Sequence, residues 1–284
     1  MNGEILVRAD HVSRYLGGHC VVDDICFSIE RGEVLGILGP NGAGKSTLMQ
    51  ILSGVLAPTH GSVSIVGHDI IAEDKIAKQH LGFLPEQPPI YNEMTVDEYL
   101  LFCGHLHDVP NDRLTDALNN SKHRCGLAEV GKRLLGNLSE GYKQRVGIAQ
   151  AIIHAPLVII LDEPTSGLDP KQLIGVRSVI RELADDHSVI LSTHILPEVK
   201  STCNRVLIMN NGKIVLDGDL DSISGNNEQQ TMTIAFHNAP EPEEITAIPD
   251  ILNAIHISKH HFRITCNNNP EAVATLVETV TMKG

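Results

Sequence analysis

Short apolar runs of strand length recur along the chain, with stretches of helical spacing between them. ILVRA (5–9), ICFSIE (25–30) and EVLGIL (33–38) read as strands, followed by SVSIVG (62–67) and LGFLP (81–85). From about 85 to 136 the pattern turns mostly helical, most clearly in TVDEYLLFCGHL (95–106). Strand signals return at LVIIL (157–161), SVILST (188–193), RVLIMN (205–210) and KIVLDG (213–218). Apolar strands separated by helices predict an α/β fold with a mainly parallel sheet covered on both faces. The helical stretch is too long for a crossover and predicts a lobe inserted between sheet elements. SISGNNEQQ (222–230) is polar and rich in Gly, Asn and Gln, the composition of a linker. Beyond it TMTIAF (231–236), AIHIS (254–258) and FRITC (262–266) read as strands, and PEEITAIPDI (242–251) and PEAVATLVETV (270–280) as helices. The predicted organisation is a main domain over 1–220, a linker over 221–230 and a small α+β appendage over 231–284.

One turn changes the picture from fold to chemistry. The strand 33–38 stops at Gly39-Pro40-Asn41-Gly42-Ala43-Gly44-Lys45-Ser46, and Thr47 opens the helical stretch TLMQILSG. A G-x-x-x-x-G-K-S/T sequence between strand and helix is a phosphate cradle. Its glycines let successive backbone N–H groups converge on a phosphate, and the helix N-terminus adds its positive dipole end. Lys45 supplies a full charge to the terminal phosphates, and the Ser46 hydroxyl is placed to ligate Mg²⁺.

A second signal is Val158-Ile159-Ile160-Leu161-Asp162-Glu163, four apolar residues and then two carboxylates at the carboxyl end of a strand. Open α/β sheets bind ligands at that end. Two adjacent buried carboxylates are costly unless a cation is near. Asp162 suits the acceptor for Mg²⁺, and Glu163 the group that orients and deprotonates a hydrolytic water. A third signal is Leu138-Ser139-Glu140-Gly141-Tyr142, where Ser139 is a natural N-cap for the helical stretch that follows.

Composition narrows the classes. A net charge of -13 and a pI near 5.5 argue against a surface built for nucleic acid or anionic lipid. No apolar run reaches the roughly 18 residues a membrane helix needs. The opening MNGEILVRAD lacks the pattern of a signal peptide, and the six cysteines form no CxxC pair, so a cytosolic protein is expected. His256, His260, His261 and Cys266 in the appendage read as a solvated surface, because adjacent strand residues face opposite ways.

Taken in order, these motifs resemble the ATP-binding subunit of an ABC (ATP-binding cassette) transporter over about residues 4–220. GPNGAGKS resembles Walker A and VIILDE resembles Walker B with its catalytic glutamate. LSEGY is similar to the family signature, with Glu140 and Tyr142 where Gly and Gln are commonest. SGLD, ending at Asp169, resembles the D-loop, and His194 the switch histidine. The resemblance implies a P-loop NTPase fold with an antiparallel β subdomain and a helical lobe, here 85–140. It implies that Tyr15 stacks on adenine, and that residues 39–47 hold ATP. It also implies that Ser46 and Asp162 hold Mg²⁺, and that Glu163 and His194 promote hydrolysis. In LGFLPEQPP, Glu86 stands where the Q-loop glutamine is usual, with Gln87 beside it; either could do that work.

The family's mechanism implies two partners. Ser139 and Gly141 would meet the nucleotide of a second copy of the chain in a head-to-tail dimer, and a separate transmembrane permease would receive the motion. The Q-loop and appendage are most similar to export ATPases of the drug, sodium and gliding-motility class. That implies a protein peripheral on the inner face of the cell membrane. A soluble ABC ATPase of translation or nucleic-acid handling is the alternative, disfavoured by one Walker A, no long heptad run and no basic surface. A small-molecule P-loop kinase would not need the signature or D-loop.

Overall fold

The structure is a computed structural model that describes residues 4–220 and, beyond them, 229–235, 245–246, 248, 251–258 and 261–267. The chain divides into two compact units, 1–220 and 221–284. In the first, a six-stranded sheet runs in the order β10-β9-β3-β8-β7-β6. These strands are β3 (Val34–Leu38), β6 (Leu81–Leu84), β7 (Val158–Asp162), β8 (Ser188–Thr193), β9 (Arg205–Asn210) and β10 (Lys213–Asp219). All pair in parallel except β10, the antiparallel edge.

Alternation along each buried strand divides the core in two. Val158 and Ile160 of β7 join Leu35, Ile37 and Ile190 in one cluster, and Ile159 and Leu161 join Val189 and Leu191 in the other. Because successive side chains face opposite ways, a strand covered on both faces must be apolar throughout, and β7 is buried at every position. The first cluster is closed by helix α1 (Lys45–Leu52) and by an antiparallel sheet, β2-β1-β4-β5. Its strands are β1 (Ile5–Leu16), β2 (His19–Glu30), β4 (His60–Ile65) and the two-residue β5 (His68–Asp69). The sequence pattern finds only the apolar halves of β1 and β2. Their outer halves, near SRYL and HCVV, are held by pairing across the sheet.

The second cluster is closed by the helical lobe: α3 (Val96–Leu106), α4 (Asn111–Arg124) and two single 3₁₀ turns, with α5 (Glu140–Ile152) and α6 (Pro170–Ala184) beside them. The short helices α2 (Asp74–Gln79) and α7 (Leu196–Thr202) complete the unit. Helix α3 begins at Thr95, whose hydroxyl accepts from the Glu98 N–H while the Glu98 carboxylate accepts from the Thr95 N–H, a capping box.

In the second unit, strands β11 (Gln229–Ala235), β12 (Ile251–Ser258) and β13 (His261–Asn267) form an antiparallel sheet in the order β11-β13-β12. The expected linker falls mostly outside the described residues, as does most of the helix expected over 242–251 and all of that over 270–280. His256 packs edge-on against Phe262 at 4.2 Å, while His260 and the side chains of His261 and Cys266 lie outside the described residues.

Candidate nucleotide site

Strand β3 delivers the chain into the turn 39–44, and α1 starts at Lys45. Gly44, the N-cap of α1, has φ 100 and makes no side-chain cap hydrogen bond. A Cβ there would sit 2.4 Å from the Val21 carbonyl oxygen, so both the backbone conformation and the close approach demand glycine. The first N–H groups of α1 therefore keep their free valence toward a cavity of about 350 Å³. Its walls are Val21, Asn41, Gly42, Gly44, Lys45, Ser46, Thr47, Glu86, Glu163, Ser166 and His194. Lys45 is buried, and its Nζ donates to the carbonyls of Gly39 at 2.8 Å and Pro40 at 3.3 Å.

One strand separates β3 from β7, and that strand, β8, ties the two carboxylates down. Register places Ser192 beside Asp162. The Ser192 hydroxyl donates to Asp162 Oδ1 at 2.6 Å and accepts from the Glu163 N–H at 2.9 Å. The Ser46 hydroxyl donates to the same Asp162 oxygen at 3.3 Å. Burial pushes the Asp162 carboxyl above its ordinary value, against these hydrogen bonds, and the nearby charges of Glu86 and Glu163 push the same way. Asp162 is not itself among the cavity walls, but its buried carboxylate is joined to the Ser46 hydroxyl that is, an oxygen donor pair of the kind magnesium takes, and the residues present fit it.

Glu163 sits at φ 48, in the left-handed region, at a cost of about 1–3 kcal/mol for a non-glycine residue. That turn aims its buried carboxylate between the Lys45 ammonium and the His194 ring. Oε1 lies 3.4 Å from Lys45 Nζ and Oε2 lies 3.0 Å from His194 Nδ1. The cation that the adjacent carboxylates require is therefore Lys45. Charge, hydrogen-bond donors and a candidate base converge on one small space, the makings of phosphoryl chemistry.

Glu86 lines the cavity and Gln87 does not, so of the two Q-loop candidates Glu86 faces the site. Gly39, Pro40 and Ala43 belong to the loop but are not among the cavity walls. Tyr15, Ser139, Gly141 and Asp169 are not among the cavity walls. Tyr15 is half exposed on β1, with its ring edge-on to His60 at 6.3 Å. Ser139 is the N-cap of α5, as its place before a helix predicts, but its hydroxyl makes no cap hydrogen bond. Glu140 is paired with Lys143 at 2.8 Å, and the Tyr142 ring lies 5.6 Å from the Arg145 guanidinium. A Cβ on Gly141 would come 2.9 Å from the Gln172 side chain of α6, which is how closely the two helices meet. Asp169 caps α6, accepting from the N–H groups of Lys171 and Gln172, each at 2.9 Å.

Ser166, the first residue of SGLD, lines the cavity, whereas sequence reasoning missed Ser192 and the support under His194. Thr193 donates to Glu198 Oε2 at 2.7 Å and accepts from the Ile195 N–H at 3.1 Å. Glu198 is 3% exposed and faces Arg177 of α6 at 3.5 Å. In the run HILPEVK (194–200) after SVILST, Glu198 carries no sign of that burial; only the fold does.

The family model described as "ABC transporter" matches residues 22–166. The ABC transporter ATP-binding protein NatA of Bacillus subtilis is 33% identical over 217 residues, covering 76% of this chain and 88% of its own. The linearmycin resistance ATP-binding protein LnrL of the same organism is 29% identical over 294 residues, covering 98% and 94%. Among solved structures, cbiO1 from Clostridium perfringens, part of the ABC transporter complex cbiONQ, superposes with a TM-score of 0.72 at 27% identity, over 79% of this chain and 92% of that one. No helix among the described residues is long and apolar enough to cross a membrane. With these likenesses added to the cradle, the carboxylate pair and the sheet order, the chain belongs to the ABC transporter family as an ATP-binding ATPase.

Proposed function

We propose that two copies of this chain close head to tail on two MgATP molecules and hydrolyse them to drive a separate membrane permease in the export direction. The observation that carries the reading is the sharing of the Glu163 carboxylate between Lys45 and His194 at the edge of the cradle. A triphosphate entering the cavity offers Lys45 a stronger anion. Lys45 then turns to the β- and γ-phosphates, and Glu163 Oε1 is released to accept the proton of an attacking water. His194 keeps the carboxylate aimed and donates toward the γ-phosphate. Ser46 and Asp162 would hold magnesium, which would supply charge neutralisation to the phosphates.

The signature residues support the dimer. Ser139 has an uncommitted hydroxyl at a helix N-terminus, Gly141 is kept small, and neither meets the cavity of its own chain. A second copy would bring them onto the γ-phosphate, while Tyr15 would close on adenine. Export is supported by the likeness, over nearly the whole chain, to a relative named for linearmycin resistance. Docking of the permease on the helical lobe within 85–140 is supported by the exposure there of Tyr91, Phe102 and Leu106, with the Tyr91 and Phe102 rings meeting at 5.9 Å. Residues 1–220 would be the cassette, 221–230 the linker and 231–284 the appendage, the whole held at the inner face of the membrane through the permease.

Glu163→Gln tests the reading. It keeps the size and loses the base, so turnover should fall at least about 100-fold while ATP binding persists. Light scattering should then detect a dimer that forms only with ATP. Turnover near the parent rate would remove Glu163 from its role, and a chain that stays monomeric with ATP would remove the dimer.

A further inference from the structure

Asp10 and His11 are neighbours on β1, and a regular pleat would send their side chains to opposite faces. His11, however, has φ 50, and the pairing of β1 with both β2 and β4 slips at this point. The slip breaks the alternation. One donor atom each from Asp10, His11 and, across on β2, Cys26 lie within 4.8 Å of one another, all on exposed residues.

We infer that this cluster is a surface binding site for a divalent metal ion of the zinc class, independent of the nucleotide site. Thiolate, imidazole and carboxylate together form a zinc-type ligand set, whereas magnesium would prefer oxygens alone. Two further contacts prepare the ligands. The His11 backbone N–H donates to Cys26 Sγ at 3.2 Å, which holds the sulfur beside the imidazole. The Asp24 carboxylate lies 2.7 Å from His11 Nδ1, and a carboxylate behind a histidine is the usual device that orients a metal-bound imidazole. Asp24 is itself in the left-handed region at φ 53, with its N–H held by the Ser13 hydroxyl at 2.9 Å. The ring either turns Nε2 to the cation with Asp24 behind it, or offers Nδ1 with Asp24 as fourth ligand.

The fit in distance is close. A tetrahedral ion with bonds of about 2.0–2.3 Å sets its ligand atoms about 3.3–3.8 Å apart, so the cluster must contract by about 1 Å. Exposed side chains reach that by small rotations. Binding replaces the Cys26 thiol proton with the metal and releases that proton to solvent.

Cobalt(II) titrated into the full, reduced chain tests the site. One equivalent should give a thiolate-to-cobalt charge-transfer band that zinc then erases. Cys26→Ser should abolish the band, and His11→Gln and Asp24→Asn should weaken binding at least about tenfold. Cys20→Ser should leave it intact, and Cys26→Ser should hydrolyse MgATP at the parent rate, which verifies its fold. A parent chain without the thiolate band, or a band that survives Cys26→Ser, overturns the site.

Discussion

At the residue scale, the side chains around the nucleotide cavity are arranged by competing electrostatics. Lys45 would be costly to bury alone, as would Glu163, and each offsets the other at 3.4 Å. That pairing makes the empty site stable and lets an incoming phosphate change it. A partly buried histidine outside the site makes stability depend on pH. His154, between α5 and β7, donates Nε2–H to the Leu81 carbonyl at 3.1 Å, while its Nδ1 is buried without a partner. Its ring stacks on His107 at 3.8 Å. Burial, reinforced by the neighbouring charges of His107, His187 and His80, lowers its pKa from 6.5 to about 4. The unfolded chain thus binds a proton that the folded chain refuses, and stability falls as pH drops from about 6.5 toward 4, by on the order of 2–3 kcal/mol. His154→Gln keeps a donor for Leu81 and removes the titration. Urea unfolding of that variant at pH 7 and pH 5 should show a smaller loss than the parent shows. An equal loss in both would clear His154 of responsibility.

At the element scale, the site depends on how β8, α6 and α7 hold one another. His194 leaves the end of β8, and its neighbour Thr193 is locked to Glu198 of α7, which faces Arg177 of α6. Asp169 caps α6 and Gly141 packs against Gln172 on the same helix, so the D-loop, signature and switch histidine share one support. Glu198 is then a positioning residue for His194, and it never touches the cavity. Glu198→Ala should lower kcat about tenfold or more with KM little changed, because the orientation of His194 suffers and nucleotide binding does not. Glu198→Gln, which can still accept from Thr193, should recover most of that loss. If both variants, shown folded by their melting curves, turn over at the parent rate, the frame around His194 is dispensable. This support is illegible in the sequence, since Glu198 reads as an ordinary exposed acid on a short helix. The loop 39–46 and the carboxylates 162–163 are legible because their spacing along the chain is itself the chemistry. Ser192 is not, because only the register of β7 with β8 brings it to Asp162.

At the scale of the whole molecule, the first unit presents a cradle on one part of its surface and an uncommitted Ser139 hydroxyl on another. The strand and helix order behind both was readable from apolar periodicity, whereas the polar outer halves of β1 and β2 were not, since pairing and not burial holds them. Whether the two surfaces meet across copies is a matter of accessibility, and that can be measured. In a Glu163→Gln background, Ser139→Cys places a thiol at the N-cap of α5, and the labelling of that peptide by a maleimide is followed by mass spectrometry. A lone chain should label at one rate with or without ATP, because Ser139 lies outside the cavity of its own chain. At protein concentrations that favour association, MgATP should slow labelling at least about tenfold, since a phosphate and a facing loop would cover the position. Dilution should restore the fast rate even with ATP present, which a conformational change within one chain would not do. A labelling rate indifferent to ATP at high concentration would break the composite site, and with it the mechanism by which binding and hydrolysis close and reopen the pair.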